Sequence, residues 1–288
     1  MLKGFVKILS HLPLGVHYWI ADYILYPLIV YVVRYRRKLV QKNLRESFPE
    51  MSKAQLSRIE RDFYHQFTYT AVETVYGYHL TNDELRPHIL IENTEMLNDL
   101  VSKAGGGIIT MGHLGNWEWL ASLQNWLDEP ILLLDIYRSQ RNKAMDELML
   151  DIRAQRDGEC VEKKRILREM IRYRAEKRPV LVGLINDQKP RPEVTRTWLT
   201  FLNHDTGFLD GAEVLAKKFN YPIFFMHITR NKRGYYIGRV VLLSDNPTST
   251  AEGEITTAFA REVEKNIIEQ PCLWLWTHNR WKWKRAKS

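Results

Sequence analysis

One histidine and one glutamate lie at a spacing that could support acid–base chemistry. His113 and Glu118 belong to the segment HLGNWE, which follows an apolar run ending at Met111. On a continuous helix, residues five apart point about 140° away from each other. The two side chains can therefore converge only if His113 lies in a turn before the helix, and Gly112 and Gly115 would permit that turn.

A histidine at the end of a strand is suited to act as a general base, because its ordinary pKa lies near neutral pH. A nearby carboxylate can fix its tautomer and stabilise the imidazolium, as in a catalytic triad. No serine or cysteine nucleophile is then needed if an acceptor alcohol attacks directly. The alternative is structural: His113 caps a turn, and Glu118 is a first-turn carboxylate stabilised by the helix dipole. The spacing alone does not decide between them.

Short apolar runs alternate with helical patterns beyond residue 92, and these elements would position the pair. Strands are predicted at residues 107–110, 131–134, 180–185 and 223–228. Strands that alternate with helices predict an α/β fold with a largely parallel central sheet flanked by helices. Before them, the apolar spacing over residues 34–73 predicts two helices divided at Pro49. Ser52 followed by Gln55 is typical of a capping box at the start of the second helix.

The N-terminal segment is predicted to contact a membrane. Residues 12–33 are rich in apolar and aromatic side chains and would extend about 33 Å as a helix. Asp22, His17 and Pro27 argue against spanning, so a spanning helix, an interfacial helix and a buried core helix stay open. We divide the chain into an anchor or interfacial helix at residues 1–33 and a catalytic domain at residues 34–288.

The charge of the chain favours an anionic partner. The formal net charge is +8, and aromatic residues make up 11% of the chain, a combination that suits a membrane surface. The positive-inside rule predicts that the main domain lies on the cytoplasmic face. Two cysteines without a CxxC spacing support neither a disulfide framework nor a zinc site. The basic cluster after the apolar segment consists of Arg34, Arg36, Arg37, Lys38 and Lys42.

The segment HLGNWEW resembles the catalytic block of the late lipid A biosynthesis acyltransferases, within the lysophospholipid acyltransferase superfamily. Residues 200–207 look more like the Bacteroidetes branch of that family. Further resemblance lies in the basic helix after the anchor, in residues 137–142 with Arg153, Arg156 and Gly158, in residues 186–188, and in the tryptophan-rich segment 274–282.

The resemblance implies an O-acyltransferase of the inner membrane that needs no cofactor and no metal. His113 would deprotonate a hydroxyl of a lipid A precursor, which attacks the thioester of an acyl carrier protein, or of coenzyme A. Glu118 would orient His113 and balance its charge. The same chemistry on a lysophospholipid, an aminolipid or another glycolipid is the alternative.

Four further residues are candidates for binding substrate. Arg138 and Arg156 could hold a phosphorylated glucosamine headgroup, because arginine binds phosphate through two parallel hydrogen bonds. Either could equally be a solvated surface arginine. Asp187 follows a predicted strand, at the edge where α/β sheets bind ligands, or it caps a loop. Asn116 could contact substrate or cap the helix.

Two other classes of function compete with this interpretation. The aromatic and basic residues of segment 274–285 would also suit nucleic acid. However, a nucleic-acid binder would explain neither the apolar N-terminus nor the His113 turn, so no nucleic-acid partner is expected. A non-catalytic membrane scaffold would have no need of both His113 and Glu118.

Overall fold

The computed structural model describes residues 2–191, 193 and 195–285. Seven of the strands in this part of the chain form one sheet, in the order β1-β9-β8-β2-β5-β3-β4, and two form a separate hairpin. The strands are β1 (Ile89–Glu92), β2 (Gly106–Met111), β3 (Leu132–Tyr137), β4 (Glu159–Glu162), β5 (Val180–Ile185), β6 (Thr197–Phe201), β7 (His204–Phe208), β8 (Ile223–Lys232) and β9 (Tyr235–Ser244).

The central strands β8, β2, β5, β3 and β4 run parallel, whereas β9 is antiparallel to β8 and carries β1 along its other side. The mixed α/β class and the largely parallel sheet are thus confirmed. All four predicted strands are present as β2, β3, β5 and β8. The sequence patterns did not predict β1, β4, β9 or the β6–β7 hairpin.

Helices cover both faces of the sheet. Because successive residues of a strand point to opposite sides of the sheet, neighbouring residues of β2 belong to two different cores. Ile109 joins the larger core with α4, α6 and α10, whereas Ile108 joins the smaller core with α8 and α9. The α-helices are α1 (Leu2–Ser10), α2 (Leu14–Ile20), α3 (Arg37–Ser47), α4 (Lys53–Gly77), α5 (Asn82–Leu85), α6 (Thr94–Ala104), α7 (Lys143–Arg153), α8 (Ile166–Ala175), α9 (Gly211–Phe219) and α10 (Glu254–Glu269).

The two helices predicted on either side of Pro49 are α3 and α4, and the predicted capping box opens α4. The Ser52 hydroxyl accepts a hydrogen bond from the Gln55 backbone N–H, and the Gln55 side chain accepts one from the Ser52 backbone N–H. These bonds satisfy two donors that a helix N-terminus otherwise leaves free. The long helix α4 begins there and carries groups that support the site.

The N-terminal segment is helical through most of its length and packs on α4. After α2 the backbone widens into π-helical turns at Ala21–Leu25 and Leu28–Val32, on either side of Pro27. Proline lacks the N–H that a regular helix uses, so a widened helix is a common way to accommodate it. Asp22 is paired: it accepts hydrogen bonds from Tyr69 at 2.7 Å and from Arg233 at 2.8 Å.

The side of these helices that faces away from α4 exposes many large apolar side chains. In the described part of the chain, no one helix combines the length and apolarity needed to cross a bilayer; Leu14–Val32 and Arg37–Ser47, which meet at an 85° bend, would do so only as a pair. The exposed apolar residues of the segment are Leu2, Phe5, Ile8, Val16, Trp19, Tyr23, Ile24, Leu28, Tyr31, Val32, Val33 and Tyr35.

Candidate active site

The register of two neighbouring strands brings His113 to Asp187. Strands β2 and β5 are parallel and aligned so that Met111 pairs with Ile185. His113 and Asp187 each lie two residues beyond these paired strand ends. Because parallel strands end at the same edge of a sheet, both side chains emerge together at the carboxyl edge, where α/β proteins bind their ligands.

Asp187 holds His113 through both of its carboxylate oxygens. Its Oδ1 lies 2.5 Å from His113 Nδ1, and its Oδ2 accepts the His113 backbone N–H at 2.8 Å. Trp274 donates its indole N–H to the same Oδ2 at 2.8 Å. Because an ionised carboxylate only accepts hydrogen bonds, Nδ1 carries a proton and Nε2 is left as the basic nitrogen. The Gln188 amide nitrogen lies 3.2 Å from Nε2.

Burial and mutual attraction together set the charge of this pair. Burial by itself would lower the pKa of His113, but the charge of Asp187, its hydrogen bond and the charge of Glu118 outweigh burial, so the pKa is raised. Burial would raise the pKa of Asp187, but His113 and the donors around the carboxylate lower it below its usual range. Asp187 is therefore ionised at neutral pH and stabilises the imidazolium when Nε2 accepts a proton.

The structure corrects the predicted contact between Glu118 and His113. Glu118 accepts two hydrogen bonds from the Arg153 guanidinium, at 2.9 and 2.8 Å, and one from the Trp117 indole at 3.1 Å. The carboxylate bonded to the imidazole is that of Asp187, which was assigned to substrate binding. Glu118 acts on His113 only through its charge, which raises the histidine pKa.

The turn between His113 and Glu118 requires a glycine at position 115. Gly115 has a φ of +58°, a conformation that other residues rarely adopt, and a Cβ there would come within 3.0 Å of the Tyr236 ring. The C-terminal segment also fixes the turn: the Gly115 N–H donates to the Leu273 carbonyl, and the Leu275 N–H donates to the His113 carbonyl. The C-terminal segment thus fixes the backbone at both His113 and Gly115.

Asn116 lies behind the turn and contacts a buried glutamate. Its side-chain N–H donates to Glu73 at 3.0 Å, and its oxygen accepts the Trp119 N–H at 3.3 Å. Glu73 is fully buried and also accepts hydrogen bonds from the hydroxyls of Tyr18 and Tyr236. Burial raises the pKa of this carboxyl, although the three donors oppose the rise. Asn116 therefore supports the turn through buried hydrogen bonds within the protein, and its contact with substrate stays a prediction.

The two arginine candidates lie in different environments. Arg156 is 2% exposed, and its guanidinium donates to the carbonyls of Gly77 and Leu80 at the end of α4. The predicted contact of Arg156 with a headgroup phosphate is corrected accordingly, because the side chain is buried and donates to backbone carbonyls instead. Arg138 is exposed directly after β3, at the same edge of the sheet as His113.

Several residues near the site were not singled out from the sequence. Trp274 was noted only as part of an aromatic and basic segment, and Arg153 only as part of a resemblance.

Among residues 2–191, 193 and 195–285, no group of three or more His, Cys, Asp or Glu side chains could hold a metal ion. The chemistry available at this edge is that of an oriented histidine base beside two carboxylates.

A family model of known proteins matches most of the chain. The sequence model for bacterial lipid A biosynthesis acyltransferases matches residues 3–283, a range that includes the N-terminal helices, His113, Asp187 and Trp274. A search of curated proteins finds no match to the chain.

Proposed function

Since the chain belongs to the bacterial lipid A biosynthesis acyltransferase family, we propose that it transfers a fatty acyl group from an acyl carrier protein to a hydroxyl of a lipid A precursor. The family makes it an acyltransferase, and the donor and acceptor are our proposal. The observation that supports the chemistry is the His113–Asp187 pair, whose basic Nε2 is turned away from Asp187. A base oriented by a carboxylate is what direct attack by an alcohol requires.

The proposed reaction forms one bond and breaks one. His113 Nε2 takes the proton of the acceptor hydroxyl as its oxygen attacks the thioester carbonyl carbon. The tetrahedral intermediate collapses, the carbon–sulfur bond breaks, and the imidazolium returns the proton to the departing thiolate. Asp187 stays ionised throughout and stabilises the imidazolium, as the carboxylate of a catalytic triad does. The products are an ester and a free thiol, so no oxidant, metal or cofactor is consumed.

Transfer assays with the purified full-length protein test the donor and the acceptor separately. We expect mass spectrometry to find one added acyl chain on a lipid A precursor when acyl carrier protein is the donor, and none with His113→Ala. Faster transfer from acyl coenzyme A than from acyl carrier protein would show that coenzyme A carries the acyl group. Transfer to a lysophospholipid or an aminolipid, with none to the lipid A precursor, would contradict the acceptor. Comparing the lipids of cells with and without the gene identifies the missing acyl chain directly.

The proposal also places the protein on the cytoplasmic face of the inner membrane. The exposed apolar side chains of residues 2–35 support it, since burying such surface in the interfacial region of a lipid leaflet is favourable. The exposed basic residues Arg34, Arg36 and Lys38 follow this apolar face, where anionic headgroups would attract them.

Replacing Trp19, Tyr23 and Val32 with serine should weaken binding to anionic lipid vesicles roughly tenfold or more in flotation assays, because these side chains are 56, 70 and 73% exposed. A matched control replaces Ile171, Val214 and Ile268, which are 54, 48 and 58% exposed on the catalytic domain, with serine. Equal loss in both triple variants would show that the apolar face of residues 2–35 is not the docking surface.

A further inference from the structure

Four cationic side chains from three parts of the chain lie close together beyond the carboxyl end of β5. Lys189 follows Asp187 by two residues, and Arg280 and Lys282 belong to the C-terminal segment. Arg36 comes from the turn before α3 and reaches this segment, since its guanidinium donates to the Thr277 carbonyl at 2.8 Å. We call Arg36, Lys189, Arg280 and Lys282 the cation cluster.

The cation cluster forms no ion pair with the protein's own carboxylates. Among the described residues, no carboxylate lies within 4 Å of any of its four cationic groups, whereas Arg37, Arg153, Arg233 and Arg239 each form an ion pair. Burial and the neighbouring charges of Lys282, Arg36 and Arg280 all lower the pKa of Lys189. Like charges held this close oppose folding unless an anion joins them.

Arg280 is the buried member of the cluster and has a free donor. Its side chain is 3% exposed, its Nη2 donates to the Gly207 carbonyl at 2.6 Å, and its guanidinium stacks over the Phe208 ring. Its Nε–H is buried and has no hydrogen-bond partner among the described residues. A buried donor without a partner is costly, and a bound acceptor would remove that cost.

Arg280 and Lys189 line one small cleft together with Thr206 and Trp281. Asp205 also lines this cleft, but its carboxylate is turned toward Arg285, at 3.9 Å. The cleft therefore combines a guanidinium that has a free Nε–H with a flexible ammonium group, whereas the Thr206 hydroxyl already donates to the His204 carbonyl. Two cationic donors side by side suit an anion with several oxygens, of which phosphate is the commonest in lipid headgroups.

The cluster lies within electrostatic reach of the catalytic pair. His278, two residues before Arg280, feels the charges of both: Asp187 raises its pKa, while burial, Arg280, Lys189 and His113 lower it, to about 4. His278 is therefore neutral near pH 7. Lys189 lies two residues beyond Asp187, and the C-terminal segment that carries Arg280 is bonded to the His113 backbone through the Leu275 N–H. An anion at the cluster could therefore belong to the same substrate whose hydroxyl meets His113.

We propose that the cation cluster binds a phosphate group of the lipid acceptor and so positions the acceptor hydroxyl at His113. The inference rests on the proposed function for the identity of the acceptor. The burial of Arg280 favours a small anion that enters a cleft over an acidic protein surface, which would meet exposed lysines instead. Arg138, one of the two arginines predicted for this role from the sequence, lies one strand away, beyond β3.

Titration of the full-length protein with inorganic phosphate tests the cluster without any need for activity. We expect saturable binding that weakens roughly ten- to hundredfold in Lys189→Gln and in Lys282→Gln, the loss typical of one charge-assisted contact. The control Lys218→Gln removes an exposed lysine from α9, near the opposite edge of the sheet, and should bind as the wild type does. Absence of binding by the wild type, or equal binding by all variants, would overturn the site.

Kinetics then assign the bound phosphate to the acceptor. Lys189→Gln and Lys282→Gln should raise the KM for a phosphorylated acceptor roughly tenfold or more and reduce the preference over its dephosphorylated form. Arg280→Lys, which keeps the charge but not the fork, should act in the same direction if thermal unfolding shows it folded. A rise in KM for acyl carrier protein alone would assign the cluster to the donor, and a rise only in Arg138→Gln would move the phosphate to β3; either result overturns the proposal.

The failure of the proposed function would be recognised separately. If the wild type transferred no acyl group to any lipid A precursor, the acceptor would be wrong before any variant was made. Phosphate titration would still decide whether the cation cluster is an anion site.

Discussion

Two carboxylates flank His113, and they differ in the cation that each one faces. Glu118 faces the Arg153 guanidinium through two hydrogen bonds, so its charge is compensated permanently. Asp187 faces the imidazole of His113, so its charge is compensated only while that ring holds a second proton. Asp187 is thus coupled to proton transfer, whereas Glu118 adds a constant negative potential.

This difference separates two roles that the sequence had assigned to one residue. The carboxylate that orients the base must touch it, whereas the one that favours its charged form can act from a distance. His113 receives the first effect from Asp187, and the second from Asp187 and Glu118 together. Substitutions at His113, Asp187 and Glu118 can tell the roles of the two carboxylates apart by experiment.

Removing the base itself should have the largest effect. His113→Ala should lower kcat roughly a hundredfold to ten-thousandfold, the usual contribution of a general base, while the protein stays folded. Single-turnover transfer rates and thermal unfolding measure the two properties. A loss of less than about tenfold would mean that His113 is not the general base, and the difference between Asp187 and Glu118 would then have no bearing on catalysis.

Asp187→Asn should come next, with a loss of kcat of up to roughly ten-thousandfold, because the amide neither holds the right tautomer of His113 nor stabilises the imidazolium. It should also move the acid limb of the pH profile. In the wild type, Asp187 and Glu118 raise the pKa of His113 against the effect of burial, so the basic form is lost as the pH falls through that raised value. Without the Asp187 charge, burial lowers the pKa of His113, and the acid limb should shift to lower pH.

The profile of kcat/KM against pH measures this shift, since it reports the ionisation of the free enzyme. An acid limb that stays in place in Asp187→Asn would mean that the titrating group is not His113. Thermal unfolding serves as the control, because Asp187 also accepts the Trp274 indole and a backbone N–H, and the variant loses part of that support.

Glu118→Gln should have the smallest effect of the three, roughly tenfold in kcat, with little change in the KM for the donor. The glutamine amide keeps the shape of the Glu118 side chain but removes its negative charge, which raises the pKa of His113. The acid limb should therefore move in the same direction as for Asp187→Asn, but by less. Arg153→Lys is the matched variant, since it keeps the Glu118 charge and one donor but not the fork. An effect confined to KM would make Glu118 a binding residue.

Much of the fold could be predicted from patterns that are local in the sequence. The apolar runs that became β2, β3, β5 and β8 are each buried on both faces, so they stand out from their surroundings. The Ser52–Gln55 capping box likewise involves neighbours. By contrast, β1 and β4 have four residues each at the sheet edges, and their alternating exposure gives a weak signal. Strand β9 could have been predicted from the sequence, since Gly234 marks the hairpin turn between β8 and β9.

The sequence by itself determined the alternation of strands and helices, the glycine turn and the presence of His113 at the end of a strand. Only the tertiary structure decided which carboxylate His113 meets. Glu118 is five residues away and Asp187 is 74 residues away, yet the β2–β5 register brings the distant one into contact. The tertiary structure also decided that Arg156 is buried and that Lys189 and Arg280 line one cleft. Contacts between remote residues depend on strand order and register, which no local spacing encodes.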